Sequence, residues 1–221
     1  MGKEYNSVIL LGISGKARSG KDTLSNYLLK EFIRFGLVKV AFADELKRRL
    51  MEDFDLSWEQ MYGSLKEIED ERYRKPGPPQ GCAVEYDDGR GLPPWYWTPR
   101  EIMQFIGTDC YRKIDDDFWV KQLFKTLSKR GVKSVVISDC RFVSEVEAVL
   151  NRGGYHIRIY RDSAGAAQGA THASETALDD YDKIDFKVYN NGTLDDLKIS
   201  ANYLANLIKE DLKNGKKRIH G

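Results

Sequence analysis

The stretch Gly15-Lys16-Ala17-Arg18-Ser19-Gly20-Lys21-Asp22-Thr23 constrains this chain more than any other. It follows the apolar run Val8-Ile9-Leu10-Leu11-Gly12-Ile13 and leads into Leu24, Tyr27, Leu28, Leu29 and Phe32 at helical spacing. Strand, glycine-rich turn and helix in that order form the setting of a phosphate-binding loop. A plain glycine turn before a helix is common, whereas a glycine, four residues and then Gly-Lys after a strand is much rarer. Gly15 and Gly20 let the backbone curl so that the N–H groups of Ala17, Arg18, Ser19 and Gly20 form an anion nest. The positive end of the following helix is aimed at the same place. Lys21 then sets an ammonium where it can bridge the outer phosphates of a nucleotide.

After Gly-Lys such loops usually carry Ser or Thr, whose hydroxyl binds Mg²⁺. Here Asp22 stands in that position, with Thr23 next. A carboxylate is a hard Mg²⁺ ligand, directly or through metal-bound water. Its negative charge beside phosphates is tolerable where Lys21, Arg18 and the metal outweigh it.

The rest of the chain alternates strands and helices. Leu37–Ala43 reads as a second strand, Val135-Val136-Ile137-Ser138-Asp139 as a buried one, then His156–Tyr160 and Phe186–Tyr189. Helical spacing follows Asp44 and Ser57, runs from Thr98-Pro99-Arg100-Glu101 toward Gly107-Thr108-Asp109, and recurs over 117–131, 143–150 and 194–208. Thr98, Pro99 and Glu101 carry the full set of helix-start signals. These alternations predict an α/β fold: a parallel sheet of about five strands with helices on both faces. Ligands then collect at the carboxyl edge of the strands. Three segments leave strands there: 15–23, the stretch after Ala43, and Asp139-Cys140-Arg141. Asp139 sits where phosphate-loop proteins place an acidic residue beside the metal.

A length of 221 residues favours one domain with an insertion, expected over about 44–130. Within it, residues 74–97 are rich in Pro and Gly and end in Trp95-Tyr96-Trp97, which predicts a long irregular segment. Residues 161–173 are small and suit a short lid over about 161–177, with Arg161 able to reach phosphates and His172 and Glu175 available to fasten it. The 35 basic and 34 acidic residues leave no global footprint for polymeric nucleic acid. No stretch suffices to span a bilayer, the first residues do not read as a secretory signal, and three cysteines without metal spacing suit a reducing cytoplasm.

With Ser14 to Thr23, Thr98-Pro99-Arg100, Gln104, Gly107-Thr108-Asp109, the Trp119 helix, Ser138-Asp139-Cys140-Arg141 and Glu145 together, the chain resembles the deoxynucleoside monophosphate kinase family of bacteriophages. The order extends over residues 7–212, and Asn191-Gly192-Thr193-Leu194 resembles that family's final strand-to-helix turn. Asp22 after Gly-Lys is the form this family shows. The resemblance implies transfer of the ATP γ-phosphoryl group to a deoxynucleoside 5′-monophosphate with Mg²⁺, in the cytoplasm, or in a host's cytoplasm if the source is viral. Small nucleotides would be the partners, with a homodimer left open. Donor-side groups would be Gly15, Ala17, Arg18, Ser19, Gly20, Lys21, Asp22, Thr23 and Arg161, with Asp22 and Thr23 on the metal side. Lys21, Asp139 and Arg141 would carry the transfer, since arginine grips phosphate with a planar fork. Lys47, Arg100 and Arg112 would be acceptor-side cations. Gln104, Gly107, Thr108 and Trp119 would contact base and sugar, with Glu145 holding Arg141 or the deoxyribose.

Two other readings compete. Animal-type phosphomevalonate kinases share the Gly-Lys-Asp loop and the Ser-Asp-x-Arg segment, and a slow nucleotide-hydrolysing regulatory module would share the loop alone. The aromatic run 95–97 and the Thr98–Asp109 segment favour a flat base as acceptor. The Asn-Lys-x-Asp signature of guanine-reading switches is absent.

Overall fold

A computed structural model describes residues 8–76, 94–164 and 176–215. His172, Glu175, Cys82, most of the expected lid and residues 77–93 lie outside them. Five strands form one sheet in the order β2-β3-β1-β4-β5. They are β1 (Leu10–Ser14), β2 (Val38–Val40), β3 (Val135–Cys140), β4 (Tyr155–Tyr160) and β5 (Phe186–Tyr189), and every neighbouring pair is parallel. The predicted fold class is therefore the observed one.

The chain divides into two compact units, Met1–Ala43 with Trp119–Gly221, and Asp44–Phe118. The first holds the sheet. Side chains alternate across a strand, and here both faces are covered. Leu11, Ile13, Ile157 and Ile159 pack with Leu24 and Leu28 of α1 (Lys21–Glu31). Residues farther along the chain, Leu197, Leu204 and Ile208, complete that face. On the other face Leu10, Val135 and Ile137 meet Val120 and Leu123 of α5 (Phe118–Lys129) and Val146 and Val149 of α6 (Val143–Leu150). Full burial of each such side chain contributes roughly 1.5–3 kcal/mol. The closing helix α7 (Leu194–Lys213) starts at Thr193, whose hydroxyl accepts from Asp196 N while Asp196 Oδ2 accepts from Thr193 N.

The strand expected over 37–43 is shorter than its apolar run. Beyond Val40 the N–H groups of Phe42 and Ala43 donate to Asp139 Oδ1 and Oδ2, at 2.7 and 3.1 Å. With those donors taken by a side chain, the ladder stops.

His156 is wholly buried in β4. Its Nδ1 lies 2.7 Å from Lys183 O, an acceptor only, so the ring proton sits there. Nε2 then accepts from the Ser14 hydroxyl at 2.7 Å. Burial pushes this imidazole below its ordinary value of 6.5, and nearby Arg158 pushes the same way, against the Lys183 carbonyl and Asp185. Above pH 6.5 the ring is neutral both folded and unfolded; below it the unfolded chain takes up the proton first, so stability falls with pH. Wild-type Tm should drop faster than that of His156→Gln between pH 7 and 5.5. Parallel Tm curves would remove His156 as the cause.

The second unit contains α2 (Ala43–Asp53), α3 (Trp58–Tyr62) and α4 (Pro99–Gln104). Two of these start as their sequences predict. Ser57 and Gln60 cap α3 reciprocally, and Thr98 and Glu101 do the same for α4 with Pro99 at its first position. The helix expected to run on to Gly107-Thr108-Asp109 instead widens into a π-helix over Phe105–Arg112. Such wide turns are rare and frequent at functional sites. At Gly107 a Cβ would lie 2.6 Å from Leu46 Cδ2, so the absence of a side chain lets Leu46 pack against the wide turn.

Residues 70–76 and 94–97 are stapled together. Asp70 N donates to Trp97 O, Trp97 N to Tyr73 O and Lys75 N to Trp95 O, with an antiparallel bridge between Arg74 and Tyr96. Lys75 is only 8% exposed. Its ammonium lies 2.6 Å from Glu101 and 4.2 Å from the Trp95 ring centroid, which offsets the cost of burying it. Among the described residues no helix is long and apolar enough to cross a membrane.

Candidate active site

Gly15 and Gly20 have φ of +151° and +102°, where side chains are strained. At Gly15 the backbone excludes a side chain as firmly, and at Gly20 a side chain would have to displace Asn190. A Cβ on Gly15 would meet Ile159 O at 2.5 Å, and one on Gly20 would meet Asn190 Nδ2 at the same distance. Arg18 is exposed at the loop's tip with φ +63°. Ser19 is fully buried, and its Oγ has no hydrogen-bond partner among the described residues. Lys21 folds back over the loop, donating to Gly15 O at 2.7 Å and Lys16 O at 2.8 Å. The ammonium is thus held above the curl before any ligand arrives.

Charged neighbours surround this loop. Asp22, with a side chain 80% exposed, pairs with Lys39 of β2 at 2.6 Å. Lys16 pairs with Asp179 at 2.5 Å, and Asp179 also faces Arg158 at 3.4 Å. Sequence reasoning missed Lys39, Asp179 and Asn190 because each lies far along the chain from the loop it touches.

At the end of β3, Asp139 is occupied with the backbone that follows β2, as described. Glu145 is 3% exposed and accepts from Arg141 N at 2.7 Å and Phe142 N at 3.1 Å. It therefore fixes the turn that carries Arg141. Trp119 is 3% exposed, in the first turn of α5. Buried Cys140 has its thiol pushed up by desolvation, which leaves it unreactive. Arg161 is exposed just past β4.

The second unit, taken by itself, holds the remaining expected residues. Lys47 Nζ lies 4.1 Å from the Tyr62 ring centroid, and Arg100 pairs with Glu67. Arg112 is buried and donates to Asp116 O at 2.9 Å. Gln104 and Thr108 are half-buried at the start and middle of the wide turn. Beside that turn is a mostly apolar cavity of about 350 Å³, lined by Phe54, Arg72, Tyr73, Arg74, Trp97, Ile102, Phe105 and Ile106. Trp97 and Phe105 lie with ring centroids 5.5 Å apart. Arg72 is held by Asp70, whose carboxyl it lowers to about 2. Of this lining the sequence pointed to Trp97 alone as an acceptor contact, through its aromatic run, while Phe54, Ile102, Phe105 and Ile106 read as apolar helix positions.

A protein of Acanthamoeba polyphaga mimivirus named "Putative deoxynucleotide monophosphate kinase" is 32% identical over 206 residues, a match covering 86% of this chain and 92% of that one. This chain belongs to the deoxynucleotide monophosphate kinase family. The family model for deoxynucleotide monophosphate kinase matches residues 94–200. In this family member that span runs from the aromatic run through the wide turn, β3, Arg141 and the last strand. The glycine loop precedes it and stands on its own geometry.

Proposed function

We propose that this protein transfers the γ-phosphoryl group of ATP to a deoxynucleoside 5′-monophosphate, giving the diphosphate. The observation that carries this reading is the loop 15–21: two glycines at positive φ with close neighbours where a side chain would stand, and a lysine already folded over the curl. Phosphoryl transfer asks little covalent chemistry of a protein; it asks for alignment and for cations over the moving charge. Loop amides and Lys21 hold the donor phosphates. Arg141, on a turn fixed by Glu145, grips the acceptor phosphate or the transferring group. Asp139 acts by holding the backbone after β2 in place.

Mg²⁺ fits the residues present. Among the described residues no group of three or more His, Cys, Asp or Glu is placed to hold a metal unaided. Mg²⁺ is commonly held by one or two carboxylates together with substrate phosphates. Asp22 supplies an accessible carboxylate, with Thr23 beside it and Lys39 as its present partner. When bound, the ion would supply positive charge against the phosphates, with Asp22 and Thr23 as the residues that would hold it.

In the second unit, the aromatic cavity offers a flat heterocycle a surface, with Gln104 and Thr108 nearby in sequence to read its edge. Stacking on an aromatic side chain is worth ~1–3 kcal/mol per base. Trp97→Ala should therefore raise the acceptor KM roughly five- to a hundredfold while the ATP KM stays within twofold. An unchanged acceptor KM would place the base elsewhere.

The reading as a whole is tested by incubating the protein with ATP and Mg²⁺ against deoxynucleoside monophosphates, ribonucleoside monophosphates and phosphomevalonate. Diphosphate should form from the deoxynucleotides. Turnover of phosphomevalonate alone, or ATP hydrolysis indifferent to every acceptor, would overturn it.

A further inference from the structure

Asn190 is the residue after β5, the edge strand, and its buried side chain reaches the glycine loop. Its own N–H donates to Tyr160 O at 2.8 Å, which extends the β4–β5 ladder by one residue. The alternation along β5 puts Phe186 and Val188 against the core shared with α1, and Asn190 continues on that face. Its Nδ2 donates to Ser19 O at 2.8 Å. That acceptor fixes which way the amide points, since a carbonyl cannot donate. Asn190 is 7% exposed, and a buried amide is costly unless its bonds are made.

The carbonyl it holds is significant. A trans peptide is planar, with C=O and N–H on opposite sides. Holding Ser19 O toward β5 therefore turns Gly20 N–H the other way. Gly20 is the N-cap of α1 and, having no side chain, supplies no cap hydrogen bond. Its φ of +102° and the 2.5 Å approach of Asn190 to a Cβ there show the two residues fitted to each other.

We infer that Asn190 is a positioning residue of the donor-phosphate loop: its amide locks the Ser19–Gly20 peptide so that the loop N–H groups are preset for a polyphosphate. The inference rests on the donor-loop reading above and adds the part that sets the loop's geometry. Preset donors bind an anion without reordering at the moment of binding. Loss of the lock should weaken donor phosphates and spare the acceptor.

The test is titration of wild-type protein, Asn190→Ala and Asn190→Asp with inorganic tripolyphosphate and with a non-hydrolysable ATP analogue, alongside steady-state kinetics. Asn190→Ala should weaken both ligands by the same factor, roughly tenfold, as expected for one buried hydrogen bond to the loop. Asn190→Asp keeps the volume, cannot donate and adds charge, so it should weaken both further. The acceptor KM should stay within twofold. Ser134→Ala is the control: its buried hydroxyl accepts from Ile9 N at 3.2 Å, away from the loop. It should lower Tm without changing either affinity. Unchanged tripolyphosphate affinity in both Asn190 variants would overturn the proposal, as would equal weakening by Ser134→Ala or failure of both Asn190 variants to fold. Wild-type protein that binds neither probe would overturn the donor-loop reading and this proposal together. Wild-type binding with unaffected variants overturns the proposal alone.

Discussion

Lys21→Ala should lower turnover by about a hundredfold or more, the scale of removing one preorganised electrostatic donor from a transition state. The expectation rests on where the ammonium already sits, 2.7 Å from Gly15 O and 2.8 Å from Lys16 O. Held by two carbonyls of the loop, it needs little rearrangement to meet a phosphate. The same bonds mean that the alanine variant also loses a brace across the curl. A modest fall in Tm is therefore expected, each such bond contributing ~0.5–1.5 kcal/mol. Lys21→Met, which keeps the stem but not the charge, should match alanine in turnover. Near-normal turnover by either variant in folded form would mean that this loop does not hold the donor.

Arg141→Lys should cost roughly ten- to a hundredfold in acceptor kcat/KM, the range set by a charge-assisted hydrogen bond of ~1.5–3 kcal/mol. Lysine keeps the charge and loses the planar fork. The backbone at this position is held by Glu145 through Arg141 N, so the substitution leaves the turn in place. ATP-analogue affinity should change much less. A raised acceptor KM alone would mark a ground-state contact, and a lowered kcat a contact made in the transition state. A collapse of ATP affinity with normal acceptor kinetics would put Arg141 on the other nucleotide.

Features set by neighbours in sequence were legible. The apolar run before the glycine loop, the loop itself and the reciprocal caps at Thr98 are local, and they led directly to β1, α1 and α4. What escaped was set by residues distant in the chain. The early end of β2 depends on Asp139, and the fit of Gly20 depends on Asn190. The wide turn over Phe105–Arg112 escaped for another reason: its sequence keeps apolar residues at intervals that a regular helix also satisfies. Trp95-Tyr96-Trp97 announced order at the end of a Pro/Gly-rich stretch, and the stapling to residues 70–75 is its form. The buried lysine between those rings had no signal, since an isolated Lys75 in a loop reads as solvated.

β1 lies at the centre of the sheet, yet among the described residues it precedes every other strand. It pairs with β3 through Leu10 and Val135 and with β4 through Leu11 and Tyr155. During synthesis β1 must wait until Val135–Cys140 is made before either neighbour exists. Closing such long loops is entropically costly and slows folding. Until then α1 can cover Leu11 and Ile13, but both hydrogen-bonding edges of β1 lack their partners. A ribosome-bound chain stopped near residue 130 should therefore be protease-sensitive and prone to association, and one extended beyond β4 should gain protection abruptly.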